Sequence, residues 1–209
     1  MQPLLNRKKV APFFSDYRWN YLAKAILDGY HGEVRVDDVR QPHVAVLQLS
    51  PLPLFFLGGD FAHPAARHFI KTLPPRSLMI FARQTDAWEA LCREVHGTKM
   101  VSSQRYAFTS ENLDIEHLRP LRDNLPDGFT LKPIDLPLAA QITAGKSPLT
   151  EDHILTFDSV TDFMKKGFGF VILEGEKIVS IASTFVVCED GIEIQINTDK
   201  KYEGRGLGT

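Results

Sequence analysis

The sequence predicts a mixed α/β chain in two parts, and three patterns carry that prediction. Runs that alternate or are continuously apolar, such as Val44–Leu49 and Ile192–Thr198, are interleaved with segments of helical periodicity. Pro126-Asp127-Gly128 makes a firm break between two such groups. After it, strand-like segments follow one another directly through short turns, which favours an antiparallel-rich sheet. The expected organisation is an N-terminal α/β domain over 1–125 and a second domain over 126–209, an α/β (α+β) class overall.

In chain order, the first predicted helix spans about Tyr17 to Asp28, with Ser15 or Asp16 as N-cap and Gly29 past its last turn. Trp19, Leu22, Ala23, Ile26 and Tyr30 supply its apolar face. Three strand-like runs follow, Glu33–Asp37, Val44–Leu49 and Leu54–Leu57, punctuated by Pro42, Pro51 and Pro53. The third enters Gly58-Gly59-Asp60, read as a tight turn in which Asp60 hydrogen-bonds locally. A helix from His63 to Leu73 stops at Pro74-Pro75, and the apolar strand Ser77–Ala82 follows. The next helix has the strongest signal: Asp86 with Glu89 resembles a capping box, Trp88, Leu91, Cys92 and Val95 share a face, and Gly97 ends it. A strand over Met100–Phe108 and a helix over Leu113–Leu121 complete this half.

Phe129–Leu131 opens the second half as a strand, and Asp135 caps a helix with Pro137 in its first turn. After a loop containing Pro148 comes a short helix, Val160–Lys166, with Phe163 and Met164 inward. Strands Phe168–Glu174, Lys177–Cys188 and Ile192–Thr198 are joined by Gly175-Glu176 and Glu189-Asp190-Gly191, both hairpin signals. The last strand runs into Tyr202-Glu203-Gly204-Arg205-Gly206-Leu207-Gly208-Thr209, a loop with three glycines in five residues. A strand leading into such a loop presents consecutive backbone N–H groups to a phosphate, usually completed by a helix start.

Several functions are disfavoured. A net charge of -2 provides no long-range attraction to nucleic acid or anionic membrane. No apolar run approaches the ~18 residues of a membrane span, and the N-terminus lacks a signal-peptide core. Cys92 and Cys188, far apart in apolar surroundings, read as buried thiols of a cytoplasmic protein. Histidines 31, 43, 63, 68, 96, 117 and 153 show no metal-ligand spacing, so no metal is expected. No Gly-x-Ser-x-Gly surrounds a serine, and the carboxylate pairs Asp37-Asp38 and Glu151-Asp152 sit at predicted turns.

Gly167-Phe168-Gly169-Phe170, Val179-Ser180-Ile181-Ala182-Ser183, Ile192-Glu193-Ile194 with Thr198, and the glycine loop resemble the first half of a GNAT-superfamily N-acetyltransferase. More narrowly, the chain is similar to the bacterial GNAT acetyltransferase family, which places an α/β region before the transferase domain. The resemblance is strongest over about 125–209. It implies acetyl-CoA as cosubstrate and a small-molecule or peptide amine as acceptor. Backbone amides of Glu203, Gly204, Arg205, Gly206, Leu207, Gly208 and Thr209 would hold its pyrophosphate, and Ile196, Asn197 and Thr198 would pair with the pantetheine arm.

In the family's loop pattern, Arg/Gln-x-x-Gly-x-Gly/Ala, Gly206 and Gly208 match, whereas Glu203 replaces the basic or amide first position. An exposed carboxylate there costs about 1 kcal/mol or less, which Arg205 can offset. Glu193, the only carboxylate of its strand, alternates to the face opposite Ile192, Ile194 and Ile196, where it is either the candidate general base or a plain solvent-facing strand residue. The resemblance places the general acid, often a tyrosine, in later helices, so the sequence is expected to stop short of the gene product. The N-terminal half is a candidate for shaping the acceptor site or for homodimerisation. Two other readings stay open: a non-catalytic acyl-CoA-binding module, and a protein whose loop holds another nucleotide phosphate.

Overall fold

The computed structural model describes residues 1–17, 20–82, 87–106, 111, 114–145, 147 and 149–208. The chain separates into two compact units, the first formed by Met1–Ser102 with Val186–Glu193, the second by Ser103–Phe185 with Ile194–Thr209.

The first unit contains β1 (Gln2–Pro3), α1 (Tyr21–Leu27), β2 (Glu33–Val36), β3 (Val44–Leu49), β4 (Leu54–Gly59), α2 (Pro64–Thr72), β5 (Leu78–Ile80) and α3 (Ala87–His96). Its sheet has the order β1-β2-β3-β4-β5, antiparallel except for the parallel β4/β5 pair. Continuous apolar runs in β3 and β4 suit strands covered on both faces. Val44, Val46, Phe55 and Leu57 pack with Ala66 and Ile70 of α2 and with Trp88 and Cys92 of α3. Phe56, pointing the other way by strand alternation, meets the Tyr17 ring edge-on at 5.4 Å.

Residues Arg7–Tyr17 form a run of 3-10 turns interrupted at Phe14, which helical periodicity did not foretell. The first α-helix therefore starts later, capped by Asn20, whose side chain accepts the N–H groups of Leu22 and Ala23. Trp19 lies outside the described residues, and Tyr30 is exposed instead of joining the buried face. Gly58 and Gly59 belong to β4 and are not its turn. A Cβ on Gly58 would stand 2.8 Å from the Phe14 ring, and one on Gly59 (φ +94°) 2.2 Å from the His43 carbonyl oxygen. Close approach of neighbouring groups demands those glycines. The turn begins at Asp60, which accepts the Ala62 N–H as expected. Residues 100–106 form no strand and are largely exposed; 107 and 108, like Asp86 of the capping box and Leu113, lie outside the described residues.

The second unit holds α4 (Ile115–Asp123), β6 (Phe129–Pro133), α5 (Leu136–Ala144), α6 (Val160–Lys166) and β7 (Gly169–Glu174), with most of β8 (Lys177–Cys188) and β9 (Gly191–Thr198). The strands form one sheet, β6-β7-β8-β9. Gly175, at φ +61°, makes the predicted two-residue β7/β8 hairpin that pairs Glu174 with Lys177. Asp135 and Ser159 cap α5 and α6 by accepting N–H groups of Leu138 and Asp162. Phe163 is fully buried against Phe157, but Met164, expected inward, is exposed.

Candidate active site

β9 delivers the chain to the glycine loop through one 3-10 turn, Lys200–Tyr202, capped by Asp199, whose carboxylate accepts the Lys201 N–H. Asp199 also donates its backbone N–H to the Val179 carbonyl at 2.9 Å and pairs with Lys177 at 2.8 Å. The Lys177 ammonium holds the Asp199 carboxyl below the usual carboxylate range, helped by the Lys201 N–H.

Two anchors fix the loop to the sheet. Leu207 is buried against Ile172 of β7 and Val179 of β8 although its neighbours Gly206 and Gly208 are exposed. Ser180 of β8 has its Oγ 3.2 Å from the carbonyl oxygens of both Asn197 and Leu207, and 2.9 Å from Thr198 Oγ1. A hydroxyl has a single proton, so Ser180 shares it between the two carbonyls and receives the Thr198 hydroxyl. One buried serine thus ties the end of β9 to the glycine loop.

Between these anchors, Gly204 and Gly206 adopt φ +75° and +76°. Left-handed residues two apart are the kind of backbone from which anion-cradling nests are built. A Cβ on Gly204 would meet nothing within 4 Å, leaving space beside the loop, whereas one on Gly208 would stand 3.3 Å from Thr198 Oγ1. The residues present therefore fit a phosphate-bearing ligand. The Arg205 guanidinium lies 5.3 Å from the Tyr202 ring centroid and the Lys177 ammonium 5.1 Å, so two cations flank one aromatic ring. Tyr202 donates its hydroxyl to Glu174 at 2.6 Å, and that carboxylate keeps the phenol protonated by raising its pKa.

Of the residues singled out from sequence, Glu203, Gly204, Arg205, Gly206 and Gly208 are exposed on the loop, and Leu207 is its buried anchor. Asn197 and Thr198 are half-buried; the Asn197 amide donates to the Leu149 carbonyl at 3.2 Å. Ile196 and Ile194 are half-exposed on one face of β9, and Glu193 is half-buried on the alternate face with Gln195 and Asn197. Thr209 lies outside the described residues. Sequence reasoning missed Asp199 and Tyr202 as supports and Ser180 as the tie; only the hairpin register could reveal a link spanning 27 residues.

A second buried polar group stands in this unit. His153 is fully buried, with Nδ1 2.8 Å from Ser183 Oγ, and Ser183 Oγ lies 3.3 Å from the His153 carbonyl oxygen. If Ser183 donates to that carbonyl, Nδ1 carries the imidazole proton and Nε2 the lone pair. Among the described residues Nε2 has no hydrogen-bond partner. Burial pushes the imidazole pKa down to about 4.

The fold and loop place the chain among GCN5-related acetyltransferases. It is 30% identical to a GCN5-related N-acetyltransferase-like protein from Streptococcus suis, whose crystal structure superposes with a TM-score of 0.85 over 97% of this chain and 79% of that one. Residues 11–209 match the GNAT acetyltransferase family, and the chain belongs to that family. An uncharacterised N-acetyltransferase of Bacillus subtilis, YdfB, is 26% identical over 159 residues, which are 74% of this chain and 58% of the relative. The match thus spans less than two thirds of that curated relative's length. Among the described residues no helix is long and apolar enough to cross a membrane.

Proposed function

We propose that this protein transfers an acetyl group from acetyl-CoA to a primary amine of a small molecule or peptide. The observation that supports it most is the glycine loop, bound through Leu207 and Ser180 to the strand that precedes it. Such an anchor holds backbone donors in place before the ligand arrives, and preorganised donors cost no reorganisation when charge develops. Acetyl-CoA supplies the acetyl group as a thioester. The loop from Glu203 to Thr209 receives the pyrophosphate, with Arg205 offsetting the Glu203 carboxylate. The Ile196–Thr198 segment of β9 lines up the pantetheine arm through its backbone. Glu193 takes a proton from the acceptor ammonium, directly or through water, because only a neutral amine attacks. The buried thiols Cys92 and Cys188 support action in a reducing cytoplasm.

Thermal unfolding with excess acetyl-CoA, and with ATP as control, tests the cosubstrate. At 100 times its dissociation constant acetyl-CoA stabilises by about 2.7 kcal/mol, seen as a raised midpoint. No shift from acetyl-CoA in the whole gene product, or an equal shift from ATP, refutes the assignment. Binding without release of CoA thiol across a panel of amines would favour the non-catalytic reading, to which the acidic Glu203 also lends support. A Glu193→Gln variant that retains the parent's activity and pH profile removes Glu193 as base.

A further inference from the structure

Although the histidines show no metal spacing along the chain, three segments of the first unit bring a carboxylate and two imidazoles together. Asp37 follows β2, His43 precedes β3, and His63 caps α2 just beyond the turn that ends β4. The register Val36↔Ala45 and Val44↔Gly59 places these three strand ends side by side. Asp37 Oδ1 accepts the backbone N–H groups of His43 and Val44, each at 2.9 Å. That grip turns Oδ2 toward the rings, 3.1 Å from His43 Nδ1 and 3.9 Å from His63 Nδ1. The two imidazoles stack with centroids 4.8 Å apart and planes 6° from parallel. One ligand atom from each of the three residues lies within 4.8 Å of the other two.

Zinc-type ions hold N and O ligands at about 2.0–2.1 Å in a tetrahedron, so the ligands stand roughly 3.3 Å apart. The 3.1 and 3.9 Å separations from Asp37 Oδ2 bracket that spacing, whereas the three ligand atoms as a set lie within 4.8 Å, so ion binding requires the half-buried His63 ring to rotate inward. Imidazole lone pairs lie in the ring planes, so the two stacked rings ligate one ion only when one of them turns out of the stack, and the ion then satisfies two neutral rings and a carboxylate together. The backbone N–H bonds to Asp37 Oδ1 act as the outer contacts that orient a ligating carboxylate. His63 Nδ1 also receives a long bond from the Ala65 N–H at 3.3 Å, which ligation through that nitrogen would replace.

We propose that Asp37, His43 and His63 form a site for a divalent transition metal of the zinc class. Its fourth position is left for water or an exogenous ligand. His63 also lines a groove of about 700 Å³ with Arg67, Lys71 and Glu94, the last paired with Arg67 at 2.6 Å, so an exogenous ligand can reach the site from that groove. The site is independent of the acetyl-transfer reading, since none of its residues belongs to the glycine loop or β9.

The test uses the tag-free chain with Co²⁺ as spectroscopic probe and Zn²⁺ in calorimetry. The expected result is one Co²⁺ bound per chain with the visible absorption of a tetrahedral site, displaced by one equivalent of Zn²⁺. His63→Ser, which keeps a capping oxygen, and His43→Phe, which keeps a stacked ring, are each expected to weaken Zn²⁺ binding at least about tenfold. Circular dichroism identifies which variants remain folded. Absence of saturable Zn²⁺ and Co²⁺ binding by the parent chain overturns the proposal whatever the variants do. Unchanged affinity in a folded variant overturns it as well, because the ion would then sit elsewhere.

Discussion

Protonation of His153 should cost this protein stability at mildly acidic pH. Its ring is fully buried and its pKa is pushed from 6.5 to about 4, so the neutral imidazole belongs to the folded state and the charged one to the unfolded chain. The unfolded state therefore binds more protons in this range, and stability falls as pH falls. The contribution is complete above pH 6.5 and is lost progressively as pH drops toward about 4. At pH 5 the linkage amounts to about 2 kcal/mol, and below the folded-state value to about 3 kcal/mol. Asp37, whose carboxyl is held at about 2 against an ordinary 3.8, loses its share at lower pH, so the two effects separate. Burial alone would raise the Asp37 value, but the N–H groups of Val44 and His43 outweigh it. Urea unfolding between pH 7.5 and 4.5, read by circular dichroism, measures the slope. His153→Asn retains a donor for Ser183 but no titration, so its stability should vary less with pH by those amounts. Parallel pH profiles for parent and variant, or the His153 imidazole itself titrating near 6.5 in nuclear magnetic resonance, would refute the reasoning.

Leu207→Ala removes the buried anchor of the glycine loop and is expected to destabilise by about 2 kcal/mol, with faster amide exchange in the loop and weaker acetyl-CoA binding. Glu203→Gln relieves an exposed like-charge contact with a phosphate, so acetyl-CoA affinity should rise by up to about fivefold, with the gain shrinking as salt is added. Gly59→Ala places a methyl group 2.2 Å from the His43 carbonyl oxygen at φ +94° and is expected to lower the melting temperature more than Gly175→Ala, whose added Cβ meets nothing within 4 Å. Comparing the two melts separates steric overlap from left-handed strain, and equal losses would contradict the close approach.

The features legible in the residues alone are local in chain distance. Asp135 and Ser159 cap helices because each carboxylate or hydroxyl reaches an N–H three residues on, and Gly175-Glu176 turns a hairpin because glycine tolerates φ +61°. The doubly covered β3 and β4 were legible as continuous apolar runs, and the glycine loop after β9 as a strand running into small residues. The exposed stretch 100–106 was misread because apolar and aromatic side chains favour a strand only where a neighbour can pair with it. Gly58 and Gly59 were misread for the opposite reason: they answer the Phe14 ring and the His43 carbonyl, groups brought against them by packing and strand pairing. Ser180 meeting Leu207, Ser183 meeting His153, and Asp37 meeting His43 and His63 likewise join residues from 6 to 30 positions apart. Periodicity and capping act over a turn or two of chain, whereas these convergences are set by sheet register and the packing of helices and loops on the strands. Only the tertiary structure decides which distant polar groups share one place.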